Sequence, residues 1–172
     1  MTAEQRAGLS DAALAMTQPC IDELIRDVSR RIKKAGAITD TAEYQIYRAQ
    51  ALGESKSAIE KAVAKQLDIN EEVINSLFEY VADKSLTLDE NGSLRQMTEG
   101  YERMSKAKTA EMLRDLWADT PEGKVLPLQT AYKKAMDFAF RQVATGSLDL
   151  DTAIRRAVTP LAKRGLRTQR GH

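Results

Sequence analysis

Between Thr17 and Lys34, the residues Ile21, Leu24, Ile25, Val28 and Ile32 recur every three or four positions, which puts all five on one face of an α-helix. A strand would scatter them over two faces, so a β reading of this stretch fails. Thr17 offers an N-cap oxygen, and Pro19 stands in the first turn, where its missing N–H costs little. Asp22 and Glu23 lie toward the positive end of the helix dipole, with Arg30, Arg31, Lys33 and Lys34 toward the negative end. Asp22–Arg26 and Asp27–Arg31 add i,i+4 attraction, and Gly36 provides a stop.

The same grammar continues downstream. Thr39, Asp40 and Thr41 supply a cap for a short helix through Tyr44, Tyr47 and Leu52, closed by Gly53. Ser55 or Ser57 starts another, with Ile59, Ala62, Val63 and Leu67 inward. Asn70 then caps a third, with Glu71 and Glu72 in its first turn and Val73, Ile74, Leu77, Phe78 and Val81 as its stripe. Helices this short are marginal alone, so mutual burial must hold them.

The pattern breaks over residues 83–93, where Asp89-Glu90-Asn91-Gly92 is a turn and Leu86 and Leu88 suit a brief extended piece. This break predicts an N-terminal lobe, 1–90, and a C-terminal lobe with a basic tail, 91–172. Leu94, Met97, Tyr101 and Met104 then form a seam that predicts a helix over 93–118, with Glu99–Arg103 and Glu102–Lys106 on its wet side. Thr120-Pro121-Glu122-Gly123 is a turn, and Pro127 marks the start of the next element. Tyr132, Ala135, Met136, Ala139, Phe140 and Val143 make a further helical face, stopped by Gly146. Asp149 or Asp151 caps the last helix, with Ile154, Ala157, Val158 and Leu161 inward; Pro160 should kink or shorten it before Gly165. The expectation is an all-α bundle of about six to eight helices. With only 5% aromatic residues, the composition suits helix-on-helix contacts better than a β core.

The residues that carry chemistry are sparse. His172 is the single histidine and the final residue, a poor base for a Ser-His-Asp or Cys-His site. Cys20 is the single cysteine, so no intramolecular disulfide can form, and the thiol reads as a small apolar filler suited to a reducing interior. One cysteine and a terminal histidine cannot build a usual zinc site, and the glycines are too scattered to cradle phosphate. Asp68, Glu71, Glu72, Glu79, Asp83, Asp89 and Glu90 lack calcium-loop spacing and read as a solvated face. No secretory leader is readable in the first 20 residues, and no apolar run is long enough to cross a membrane. These features predict a protein that is not an enzyme and uses no cofactor or metal.

Charge is the one pointer to partners. The net charge of +1 conceals a polarity: no acid follows Asp151, while Arg155, Arg156, Lys163, Arg164, Arg167 and Arg170 do. Together with Arg30, Arg31, Lys33 and Lys34 they are candidate contacts for an acidic protein surface or for phosphate. The alternative is a favourable helix end and a solvated tail. No aromatics interleave these cations, which argues against stacking on single strands.

Two stretches resemble a known family. Asp27-Val-Ser-Arg-Arg-Ile-Lys-Lys-Ala-Gly-Ala-Ile-Thr-Asp-Thr-Ala-Glu-Tyr-Gln-Ile-Tyr-Arg-Ala-Gln-Ala-Leu-Gly53 resembles the N-terminal part of the minor capsid proteins of tailed phages and prophages of Gram-positive bacteria. Residues 59–78 are similar to that family's pair of short helices ending in Leu-Phe. Tyr132 through Gly165, with Ala-Met-Asp-Phe-Ala-Phe and Asp-Thr-Ala-Ile-Arg-Arg-Ala-Val, resembles a later segment. The resemblance implies a structural component of the phage head, portal-associated or inside the capsid, with no catalytic residues to carry over. It implies the virion as location, with host cytoplasm during assembly, and the portal or major capsid protein as partner. Self-association is a further option, and a helical nucleic-acid-binding module on packaged DNA is the alternative function. Longer family members continue past the position of Gly165, so a short, truncated or processed member is expected here. Pro160 falls where the family usually has an uninterrupted helix.

Overall fold

Ile21, Leu24, Val28, Ile32 and Ala35 are all buried and form the inner flank of a helix that most of the others pack against. A computed structural model of the protein describes the backbone at residues 3–82 and 106–167, and side chains at 17–72, 75 and 106–167. The first helix, α1, runs Ala3–Gly36. Thr17 is therefore not its cap: it is buried four positions before Ile21, on the apolar stripe itself. Pro19 lies inside α1, and the next N–H, that of Cys20, bonds to the Gln66 side-chain oxygen at 3.1 Å. A neighbouring helix thus supplies a polar group where proline disturbs the ladder. Arg26 pairs with Glu23 (2.8 Å) and not with Asp22, which accepts from Gln18 instead; Asp27–Arg31 forms as expected at 2.9 Å.

Asp40 caps α2, Thr41–Gly53, by accepting the Glu43 N–H at 2.8 Å. Only Glu54 separates α2 from α3, Ser55–Ala82, and buried Ser55 donates to the Leu52 carbonyl at 2.7 Å to close the corner. The two helices expected over this span are one. Asn70 does not cap a new helix, because its oxygen accepts from Gln66 one turn back, at 3.1 Å. The side chains of the expected 73–81 stripe lie outside the described residues, apart from Asn75.

Residues 106–114 form the described part of α4, with Ala110 and Leu113 buried. The helix expected to reach residue 118 stops there, because Trp117–Asp119 is a strand, β1, paired antiparallel with β2, Val125–Pro127. Thr120 closes the turn: its N–H and hydroxyl both donate to the Lys124 carbonyl at 2.9 Å, and Gly123 takes φ +84°. Trp117 and Arg167 exchange backbone hydrogen bonds at 2.6 and 2.8 Å, so the chain beyond the last helix lies along β1.

Pro127 caps α5, Leu128–Ala144, which buries Leu128, Ala131, Tyr132, Met136, Ala139 and Phe140. Asp149 caps α6, Leu150–Arg164. Pro160 does not cut α6 short; the helix continues to Arg164 and ends at Gly165, φ +66°. Small Ala153 and Ala157 let α6 approach α1 and α5 closely. The ends of α1 and α6 meet where Gly36 faces Leu150: a Cβ there would lie 2.9 Å from Leu150 Cδ1. The described structure is all-α in class, with six helices and one short hairpin. One connected core runs through elements from Cys20 to Leu166. The lobe boundary expected at 90/91, the 89–92 turn and the 94–104 seam lie outside the described residues.

Candidate functional site

The cations near the C-terminal end of α1 do not form one exposed cluster. Arg30 and Arg31 are neighbours in sequence, but the helix turns them about 100° apart. The Arg30 side chain is 62% exposed and pairs with Asp27 at 2.7 Å. Arg31 is only 8% exposed, with Nε on Asp27 (2.9 Å) and Nη1 on Glu54 (3.2 Å). Arg31 is thus an internal tie between α1 and the α2–α3 corner, which corrects the expectation that it stands at the surface. Burial disfavours its charge, but the Asp27 hydrogen bond and the field of Tyr132, Asp27 and Glu54 hold its pKa above the ordinary value. Burial likewise pushes the Asp27 carboxyl up, yet hydrogen bonds from Tyr132, Arg31 and Arg30 leave it below its usual range. Lys33 is exposed, and exposed Lys34 holds its ammonium 5.0 Å from the centre of the Tyr47 ring.

The C-terminal cations also divide. Arg155, Arg156, Lys163 and Arg164 are all exposed on α6. Among the described residues none has an ion pair, and the Asp149 carboxylate feels Arg155 only at longer range. Every described arginine side chain outside α6 has a carboxylate partner: Arg26, Arg30, Arg31, Arg48, Arg114, Arg141 and Arg167. Arg167 is largely covered and bonds Asp119 at 2.6 Å, pinning the segment just after α6 to β1, while Arg167 Nε and Asp119 Oδ2 make no hydrogen bond to a described residue. Arg170 lies outside the described residues.

Sequence reasoning missed the outer face of α2. Tyr44 and Tyr47 turn inward onto Phe140 with ring centroids 6.5 and 6.4 Å away, and the Tyr44 hydroxyl donates to the Phe140 carbonyl at 2.8 Å. Arg48 reaches Asp137 from the same side. That seating leaves Thr41, Ala42, Gln45, Ile46, Ala49, Gln50 and Gly53 exposed with Glu43 as the only charge among them, and Ile46 is 70% exposed. In a chain with 30% charged residues, so neutral a face is distinctive. The signal that could have found it was Ile46 itself, which falls off the Tyr44–Tyr47 stripe.

A cavity of about 10 Å³ between α1, β1, α5 and α6, walled by Val28, Ala118, Leu128, Ala131 and Leu161 among others, holds at most one water. No group of three or more His, Cys, Asp or Glu side chains among the described residues is placed to hold a metal ion. Burial pushes the Cys20 thiol up to about 12, far from a nucleophile's range. No described helix is long and apolar enough to cross a membrane.

No curated protein and no solved structure matches the chain. The family model described as phage minor capsid protein 2 matches residues 1–171, a wider span than the two stretches that carry the resemblance in the sequence. A helical chain with a neutral face on α2 and a cationic one on α6, matched over residues 1–171 by that model, belongs to the phage minor capsid protein 2 family, a structural family of the phage capsid.

Proposed function

We propose that the protein is built into the phage head, beside the portal or on the capsid interior, and works by contact with other head proteins and not by turnover. The observation that carries this reading is the family match over 1–171. The outer face of α2 supplies a surface suited to it. Interface centres are depleted in charge and gain most from a few apolar anchors, and this face offers neutral side chains around exposed Ile46. Lys33, and Lys34 beside Tyr47, sit on neighbouring α1 and suit an acidic rim on the partner. The test is fractionation of a lysate from a phage carrying the gene, followed by cross-linking of purified heads. The protein is expected with heads at low, fixed stoichiometry and cross-linked to portal or major capsid subunits. Recovery only as free protein, never on particles, would overturn the proposal.

A further inference from the structure

The three arginines of α6 differ from the other described arginines in a way that bears on what this face meets. The other described arginines are neutralised by carboxylates, whereas Arg155, Arg156 and Arg164 are exposed with no ion pair to a described residue. Arg156 and Lys163 are seven residues apart, so they lie on nearly the same side of α6, about 10 Å apart along its axis. Arg155 and Arg164 stand on either side of that line, each about a quarter-turn round the helix from it, so the four cations span about 13 Å of the axis and about half of its circumference. The exposed residues between, Thr159 and Ala162, are short, and the Thr159 hydroxyl is turned back to the Arg155 carbonyl at 2.6 Å. The result is a low ridge edged by long cations, open to a large rod-shaped partner.

The face also lacks an apolar anchor. The exposed large hydrophobics among the described residues are Ile46 on α2 and Met112 on α4, and none stands on α6. A protein partner would leave such an interface without the buried centre that supplies most binding energy. A phosphate backbone needs no such centre, since its interfaces are polar, wet and cationic. Duplex DNA presents one negative charge per about 1.7 Å of axis over its two strands, so the length that the four cations span holds about eight phosphates, and cations on either side of the helix suit two separate backbones. The exposed residues of this face include no Asn or Gln to read adenine edges, and no aromatic ring to stack on bases.

We propose that the exposed face of α6 binds the phosphate backbone of double-stranded DNA without sequence preference, through Arg155, Arg156, Lys163 and Arg164. The head reading enters only in placing the protein beside packaged DNA; the binding itself is a property of the isolated chain. The test is fluorescence anisotropy of the full-length protein on a mixed-sequence duplex of about 30 base pairs, titrated over salt. Four neutralised phosphates give a log–log salt slope of about −3.6, roughly 150-fold weaker binding at ~200 mM than at ~50 mM. The double variant Arg155→Gln/Arg156→Gln should bring the slope to about −1.8, and adding Lys163→Gln/Arg164→Gln should bring it near zero. The double variant leaves the last turn of α6 with its own cations, so its fold is retained, as circular dichroism checks.

Absence of duplex binding at ~50 mM salt, or a slope unchanged by both variants, overturns the proposal. So does binding to polyglutamate with the duplex ignored, which would assign the face to an acidic protein surface. Incorporation into heads is scored separately. Heads that take up a protein unable to bind duplex sink this proposal alone, while duplex binding by a protein never found on heads supports it and sinks the head reading.

Discussion

The Tyr132 hydroxyl donates a hydrogen bond to Asp27 Oδ2 and so ties α5 to α1 across 105 positions of sequence. The same carboxylate accepts from Arg30 at 2.7 Å and Arg31 at 2.9 Å, and Arg31 passes the connection on to Glu54. One acid therefore joins the central helix, the helix behind it and the corner that orients α2. Asp27 is not incidental surface charge; it is the point where three elements are held in register.

Removing either partner should show this. Tyr132→Phe keeps the ring in the core and deletes one bond to a charged acceptor, a loss of about 1.5–3 kcal/mol. Asp27→Asn strips Arg31 of its closest counter-charge while it stays buried, and should cost more, about 3–5 kcal/mol. Urea unfolding of both variants checks the order; equal and negligible losses would refute the linchpin role.

The pH dependence follows from the same carboxyl. The Asp27 pKa is lowered in the folded protein from its ordinary 3.8, so its contribution is present above about pH 4 and is lost as pH falls through the lower, folded value. Wild type should therefore lose more stability between pH 5 and about pH 2.5 than Asp27→Asn does. Parallel acid profiles for the two proteins would contradict this assignment.

Arg30 and Arg31 should respond oppositely despite adjacency. Arg30→Ala removes an exposed i,i+3 pair and should change stability by under ~0.5 kcal/mol. Arg31→Ala leaves Asp27 with one ionic partner fewer in a covered site and should cost about 2–4 kcal/mol. Thermal unfolding of the two single variants measures the contrast.

Gln66 is 1% exposed and both accepts from the Cys20 N–H and donates to Asn70. Gln66→Leu preserves bulk but leaves the N–H after Pro19 without that acceptor, a cost of about 1–3 kcal/mol. Loosening there should also expose the thiol beside it. Native Cys20, buried and with its pKa pushed up to about 12, should resist a disulfide reagent until the protein unfolds, and Gln66→Leu should react measurably faster. Equal labelling rates would show that Gln66 does not guard this site.

Ile46→Asp tests the α2 face. At 70% exposure the substitution should shift stability by under ~0.5 kcal/mol, yet it puts a charge at the centre of the neutral face and should sharply reduce incorporation into heads. Heads assembled with a normal content of the variant would remove this face from the assembly interface.

The sequence alone was enough for whatever is decided within a turn or two of the chain. The cap of α2 falls within the expected 39–41 stretch, at Asp40, the Tyr132–Phe140 stripe makes α5, α6 starts at Asp149, one of its two expected caps, and Gly165 ends it, because capping and periodicity act between near neighbours. The Arg-Arg-Ile-Lys-Lys-Ala-Gly string was likewise sufficient to point to the family that the whole chain belongs to.

Tertiary structure decided the rest, and in each case a distant partner overruled a local signal. Thr17 and Asn70 look like caps, but burial on the α1 stripe and the bond from Gln66 keep both inside longer helices. Trp117 continues a helical pattern on paper, yet it leaves the helix to pair with Pro127 and Arg167. Arg31 reads as surface charge beside Arg30, and only the arrival of Glu54 from 23 positions away and Tyr132 from α5 turns it into an internal tie. The α6 cations look no different in sequence from Arg167; what separates them is that Asp119 folds back to meet Arg167, while no described carboxylate pairs with the others. A residue's charge and spacing are written locally, but whether that charge is met depends on non-local contacts that exist only once the chain has closed.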